Sequence, residues 1–423
     1  VVNAGFRNSA FSHTFLNTFQ AYFYKKRSMG LGKTKYIFDE VISRKGTDCV
    51  KYDLRKLYFG TEDVIPMWVA DMDFRTPDFI IEAIRRRLDH EILGYSIRSE
   101  EYSSAISNWM LVRHNWQINP AWISFSPGVV PALNMLVLAF TEPGDKIIVQ
   151  PPVYFPFFAA IENNGRKKVE NPLRLIEGRL SMDFDDLRKK AQGAKMILIS
   201  HPHNPGGSVW TKEELTSLAD ICLENNVLMI SDEIHSDLIF SPHKHIPLAS
   251  LSKKVSNQTI TCNAPSKTFN LAGLSTSYLI IPDKAKLNVY NSILNDKLHL
   301  NMGNIAGSVA LQAAYNFGAD WLKQLLEYVA KNVELVCVFC NEYLPQITPI
   351  IPESTYLIWL DCRKTGMKGD DLKDFFIKKA RVGFNDGRLF GTGGEGFMRI
   401  NVACPRSVVL EALQRIKNAF QYL

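Results

Sequence analysis

The sequence predicts an α/β fold built on a mainly parallel sheet, and three observations carry that expectation. From about residue 80 onward, short apolar runs alternate with segments of helical periodicity. One stretch reads strand, helix, strand, strand: Lys195-Met-Ile-Leu-Ile-Ser200, a helix over about 211–226, Val227-Leu-Met-Ile-Ser231 and Thr259-Ile-Thr-Cys262. Strands joined by such helices cross over right-handedly and lie parallel. Finally, 423 residues at 46% apolar and 22% charged, without repeats or low-complexity tracts, supply a large core and exclude disorder and collagen.

Taken in order, residues 1–38 hold Arg7, Lys25, Lys26, Arg27, Lys33 and Lys35 and no acid, which is the whole net charge of +6. The rest of the chain is neutral, with no basic run longer than Arg85-Arg86-Arg87, so no footprint for nucleic acid is expected. Residues 1–35 read as an N-terminal extension outside the fold, either preceding a start at Met29-Gly-Leu-Gly or forming a transit-like tail. Apolar runs such as Met135-Leu-Val-Leu-Ala-Phe140 fall far short of the roughly 18 residues that cross a bilayer, so no membrane passage is expected.

Seven scattered cysteines without a secretory leader fit a reducing cytoplasm. Cys337-Val-Phe-Cys340 lies within the helical pattern Trp321–Tyr343 and reads as two buried thiols; no second pair completes a zinc site, and no metal is expected. Thr211 with Glu214 three residues on forms a capping box that starts the 211–226 helix. Gly391-Thr-Gly-Gly-Glu-Gly396 satisfies G-x-G-x-x-G, but Phe397–Val402 reads as a strand where a dinucleotide site needs a helix, so this is a loop bordering the substrate pocket.

Ligands of parallel sheets bind beyond the carboxyl ends of the strands. The residues there are His203 and Asn204 after the first strand, Asp232, Glu233 and His235 after the second, and Ser266 and Lys267 after the third. One Asn, one Asp and one Lys at a single sheet edge form a cofactor constellation more than a hydrolase triad. Each also has a plainer reading: Asp232 as a helix cap, Asn204 as a turn former and Lys267 as a solvated loop lysine.

Together with Trp68-Val-Ala-Asp-Met-Asp-Phe74, Ser126-Pro-Gly-Val-Val-Pro131 and Ser231-Asp-Glu-Ile-His-Ser-Asp-Leu238, these segments resemble the fold-type I pyridoxal-phosphate enzymes of the aminotransferase class I/II superfamily. The resemblance covers about residues 36–423 and is closest to the MalY/PatB branch of cystathionine β-lyase-like C–S lyases.

It implies pyridoxal 5′-phosphate as cofactor, with Lys267 joined to its aldehyde and acting as base. Asp232 keeps the pyridine nitrogen protonated and Asn204 orients the ring oxygen. His235 stands where many aminotransferases carry Tyr. The N-terminus of a helix entered through Gly128, Val129 and Val130, with the Ser266 hydroxyl, holds the phosphate. Tyr154 stacks on the ring, although an aromatic in Pro151-Pro-Val-Tyr-Phe-Pro156 equally fits simple packing. Arg399 grips the substrate carboxylate, and Ala70 and Asp71 lie on the substrate side. Tyr95 reaches the phosphate of a second subunit, which implies a homodimer with shared active sites. Ser275 replaces the Arg that many aminotransferases carry eight residues after the lysine, leaving open what neutralises the phosphate.

The implied organisation is a large cofactor-binding domain over 76–319 and a smaller α+β domain from 36–75 and 320–423. The implied reaction is elimination of a thiol from an L-cysteine S-conjugate such as L-cystathionine, giving pyruvate, ammonia and homocysteine. Transamination between an L-amino acid and a 2-keto acid uses the same residues and is the second expectation. A regulator that keeps the cofactor but works through protein–protein contact is the third.

Overall fold

Seven strands of the computed structural model, which describes residues 34–421, lie side by side in the order Ile123–Ser126, Ser277–Ile280, Thr259–Asn263, Leu228–Asp232, Ala194–Ser200, Lys146–Val149, Lys167–Glu170. The four neighbouring pairs from Thr259–Asn263 to Lys167–Glu170 are parallel, and only Ser277–Ile280 runs antiparallel to both neighbours. The expected mainly parallel sheet is present, and the strands read from the sequence end within a residue of their expected limits.

Its central strands are largely apolar because both faces are covered, whereas the edge strand Lys167–Glu170 carries Lys167, Lys168 and Glu170. Met196, Leu198 and Ile230 pack on one face with the helices Val129–Phe140 and Pro156–Glu162. Ile197, Ile199 and Met229 pack on the other with Leu215 and Leu218 of the helix Lys212–Glu224. This two-residue alternation buries a full row of side chains on each side, each large aliphatic contributing roughly 1.5–3 kcal/mol. The expected capping box starts Lys212–Glu224: Glu214 N–H donates to Thr211 Oγ1 at 3.2 Å, and Thr211 N–H donates to Glu214 Oε2 at 2.8 Å.

A second, antiparallel sheet orders Thr348–Ile350, Leu357–Asp361, Phe397–Asn401 and Asn385–Asp386. Arg399 sits at its centre, opposite Trp359 on one side and Asn385 on the other. Ile65–Pro66 pairs in parallel with Val382–Gly383, so the stretch before Trp68 is tied to the C-terminal third of the chain. The strand Phe397–Asn401 follows the glycine-rich loop, as expected from a segment that is not a dinucleotide fingerprint.

Two compact units are distinguished, Val1–Ile37 and Phe38–Leu423, and every element above belongs to the second. The expectation for residues 1–35 falls, apart from 34 and 35, outside the described residues. All seven cysteines are free. Cys337 and Cys340 lie on the helix Ala319–Tyr343, but only Cys340 is buried; Cys337 is half-buried, because three residues turn a helix by some 300° and carry the two thiols to different depths. Among the described residues no helix is long and apolar enough to cross a membrane, and no cluster of His, Cys, Asp or Glu is arranged to hold a metal ion.

Candidate active site

The carboxyl ends of three adjacent parallel strands open onto one cavity of about 200 Å³. After Ala194–Ser200 come Ser200 itself and Asn204; after Leu228–Asp232 come Asp232, Ile234 and His235; after Thr259–Asn263 come Ala264, Ser266 and Lys267. Opposite them stand Pro127, Gly128, Val129, Val130 and Pro131 at the N-terminus of the twelve-residue helix Val129–Phe140, whose first N–H groups have no partner within the helix. Tyr154, Ala70, Ala272, Ser275 and Thr276 complete the wall.

Burial sets the electrostatics. It raises the Asp232 carboxyl to about 7 against the opposing pull of the Ile234 N–H and the Lys267 charge. Burial likewise lowers the Lys267 amine to about 8, opposed by Asp71, assisted by Arg399 and opposed by Asp232. His235 is held neutral by burial and by the cations Lys267 and Arg399, and its Nδ1 has no hydrogen-bond partner. An amine and a carboxyl both brought near neutrality and lining one small cavity suit proton transfer. The Lys267 Nζ donates to the Ala70 carbonyl at 2.7 Å.

Arg399 is buried and does not itself line the cavity; it donates to Oδ1 of the lining residue Asn204 at 2.9 Å, to the Trp68 carbonyl at 3.0 Å and to Asn385 Oδ1 at 2.6 Å. Its guanidinium lies 4.9 Å from the centre of the Phe390 ring, and its Nε remains unpartnered. Burial without a carboxylate partner lowers its pKa to about 10, an environment that favours an incoming anion. With Asn204 Oδ1 occupied by Arg399, the Asn204 amide N–H groups are the ones left to face a ligand.

Of the residues expected at the site, Lys267, Asp232, Asn204, His235, Ser266, Tyr154, Gly128, Val129, Val130 and Ala70 line this cavity. Asp71 does not: its carboxylate turns to Arg44 at 2.6 Å, because the two cations Arg44 and Lys51 lie on that side of the chain. Tyr95 is 97% exposed and touches no part of the cavity of its own chain. The glycine-rich loop does not line it either, although the sequence placed that loop at its border. Lys267 is the only lysine or arginine among the residues described that line the cavity, and Ser266, Ser275 and Thr276 contribute hydroxyl-bearing side chains to the same wall.

The sequence reading missed Tyr356 and Asn401. Tyr356 Oη donates to the Ala70 carbonyl at 3.0 Å, and Asn401 Nδ2 donates to the carbonyls of Val69 and Asp71, both at 2.6 Å. Asn401 stands two residues after Arg399 on the same strand and therefore on the same face, a spacing signal that was available.

The site fits a flat, anionic, aldehyde-bearing heterocycle: an amine for the aldehyde, a buried carboxyl for a ring nitrogen, helix N–H groups for a phosphate and an aromatic side chain for a ring face. Comparison with known proteins leads to the same group. Residues 62–416 match the family model described as aminotransferase class I and II. The chain is 44% identical over 384 residues to cystathionine beta-lyase PatB of Bacillus subtilis, covering 90% of this chain and 99% of that one. A structure of cystalysin from Treponema denticola that contains a pyridoxal 5′-phosphate cofactor superposes with a TM-score of 0.89 at 38% identity, covering 92% of this chain and all of that one. The pyridoxal-phosphate-bound C–S lyase of Staphylococcus hominis gives 0.85 at 38%, over 91% and 98% of the two chains.

Proposed function

The chain belongs to the aminotransferase class I and II family, and from that premise we propose that it is a pyridoxal-5′-phosphate-dependent carbon–sulfur β-lyase. Its substrate class is L-cysteine S-conjugates such as L-cystathionine, which water and elimination convert to pyruvate, ammonia and the free thiol. The observation that carries this reading is the 44% identity to a cystathionine β-lyase across nearly all of both chains, joined to a cavity holding Lys267, Asp232 and Asn204 at one sheet edge.

When bound, the pyridoxal ring supplies a sink for the electron pair left as the Cα–H bond of the amino acid breaks. Lys267 would hold the aldehyde, and its amine, lowered to about 8 by burial, would serve as the base that takes the Cα proton of a bound substrate. Asp232 would pair with the ring nitrogen and keep it protonated, and that pairing would draw its own carboxyl back toward the ionised form. Asn204 would donate to the ring oxygen, and Tyr154 would cover one ring face. Arg399 takes the substrate carboxylate with a planar fork fixed by Asn385 and the Trp68 carbonyl. The helix N-terminus at Gly128–Val130, with the hydroxyls of Ser266, Ser275 and Thr276, holds the phosphate without a cationic side chain.

The proposal extends to organisation. The region 76–319 is the cofactor-binding domain, and 36–75 with 320–423 form the smaller one. Two copies associate with shared sites, Tyr95 of each reaching toward the other's phosphate; the exposed Ile92, Leu93 and Ile97 around it support a covered surface. Seven free thiols support a cytoplasmic setting.

Purified protein incubated with cystathionine, cysteine or other L-amino acids, with and without a panel of 2-keto acids, is assayed for pyruvate, thiol and new amino acids. Thiol and pyruvate released together without a keto acid are expected. Amino-group exchange that needs a keto acid and releases no thiol would overturn the lyase reading.

A further inference from the structure

Beside the cavity lies a buried group of charges that the proposed reaction leaves unused. Lys51 is 1% exposed; its Nζ lies 2.8 Å from Asp73 Oδ2 and 3.6 Å from Asp71 Oδ1. Arg44 spans the same two carboxylates, at 2.6 Å to Asp71 and 2.7 Å to Asp73, and Tyr52 Oη donates to Asp73 at 3.2 Å. Two cations and two anions thus cancel within a few ångströms. Taking Lys51 and Asp73 fully, and Arg44 and Asp71 partly, out of water offsets much of what their attraction returns. Stability alone does not account for the cluster.

Its position does. Asp71 is the residue after Ala70, whose carbonyl receives Lys267 Nζ at 2.7 Å and Tyr356 Oη at 3.0 Å. The backbone from Trp68 to Met72 is gripped along its length. Arg399 holds the Trp68 carbonyl, Asn401 the Val69 and Asp71 carbonyls, and Asn270 both the N–H and the carbonyl of Met72, at 2.9 and 2.8 Å. Asn270 itself follows Lys267 by three residues and adopts φ +60°, a conformation Asn tolerates.

We propose that Arg44, Lys51, Asp71 and Asp73 are positioning residues for the proton-transferring amine of Lys267: they fix the Ala70 carbonyl as its acceptor and set how much of the Asp71 carboxylate's charge the amine experiences. The groups facing that amine are Asp71 and Asp232, which favour its charged form, Arg399, which opposes it, and the neutral His235. Arg44 and Lys51 divide the Asp71 charge among themselves and so act on Lys267 at one remove.

The inference rests on Lys267 being the cofactor lysine, and the test separates the two. Cofactor-free protein is mixed with pyridoxal 5′-phosphate between pH 6 and 10 and quenched with borohydride, and the initial rate of covalent capture at the Lys267 peptide is measured by mass spectrometry. The neutral amine is the form that reacts, so the rate rises through an inflection near 8 in the parent. Asp71→Asn removes the supporting charge and is expected to lower the inflection by about one pH unit. Arg44→Gln and Lys51→Met release the Asp71 charge toward Lys267 and are expected to raise it by about half to one unit. Opposite shifts cannot come from general loosening of the site, which moves all variants the same way. Circular dichroism and melting establish that each variant folds, and should Lys51→Met fail, Arg44→Gln, whose side chain is 25% exposed, carries the upward arm. Unmoved inflections, or shifts of one sign in all variants, overturn the inference while leaving Lys267 as the cofactor lysine. Capture of the parent at a different lysine overturns the functional assignment and the inference with it.

Discussion

Replacing Asp232 by Asn should make the cofactor-free protein more stable and the enzyme far slower, and the two effects arise from the same buried charge. The carboxyl rises from 3.8 unfolded to about 7 folded, chiefly through burial. A group whose folded pKa is raised contributes stability that is complete below the unfolded value and is lost as pH climbs through the folded one. Here the loss begins near pH 4 and is complete above about 7. Each pH unit of that interval is worth about 1.36 kcal/mol, which bounds the loss at about 4 kcal/mol; relaxation around the carboxylate reduces it to about 2–4. Asn keeps the shape and never ionises. Urea unfolding of both cofactor-free proteins at pH 5 and pH 8 should therefore show a stability gain for Asp232→Asn that is larger at pH 8 by about 1–3 kcal/mol. With cofactor bound, the same variant loses the charge that keeps the ring nitrogen protonated, and turnover should fall by about two orders of magnitude or more while substrate affinity changes little. Equal pH dependence of stability in the two proteins would refute the claim that Asp232 is a desolvated carboxyl in the folded chain. Undiminished turnover would refute its role opposite the ring.

The other predictions are more local. Arg399→Lys keeps one charge but not the fork, so KM for an S-conjugate should rise about 10-fold or more, beyond any change in kcat, in steady-state kinetics. Gly207 has φ +74°, and a Cβ there would sit 2.5 Å from Pro352 Cβ, so Gly207→Ala should cost about 2–4 kcal/mol, read as a lowered denaturation midpoint. Mixing inactive Lys267→Ala chains with inactive Tyr95→Ala chains should restore up to half the activity of a parental dimer, since one hybrid site is intact. No rescue despite demonstrated chain exchange would assign Tyr95 to its own subunit.

The sheet and its ligand edge were legible because their signals are local. An apolar run such as Met196–Ile199 marks a strand from its own composition, and Thr211 with Glu214 marks a helix start across three residues. The chemistry was legible because parallel strands deliver whatever follows them to one edge, which makes Asn204, Asp232 and Lys267 neighbours on topology alone. What stayed hidden depends on contacts between distant parts of the chain. Tyr356 reaches Ala70 across 286 residues and Asn401 reaches Val69 across 332; strand periodicity puts Asn401 on the face of Arg399 but does not name the distant backbone that either residue meets. Asp71 illustrates the same limit: its position in the motif was read correctly as near the site, but the direction of its side chain was decided by Arg44 and Lys51. Ser275 itself lines the cavity, beside Ser266 and Thr276.

Hydrogen bonds from Arg399 and Asn401 to the Trp68–Asp71 backbone tie a late strand to an early segment, which sets the order in which the parts of the site are synthesised. A nascent chain that has emerged as far as Ile280 possesses every strand of the seven-stranded sheet and the lysine, the carboxyl and the helix N-terminus that greet the cofactor. It has no Arg399 to receive a substrate and no Asn401 to seat the Val69–Asp71 backbone, both of which arrive within the last 25 residues. Lys267 and Asp232 are thus made before Arg399 and Asn401, so the cofactor-facing groups precede the substrate-facing ones in the order of synthesis.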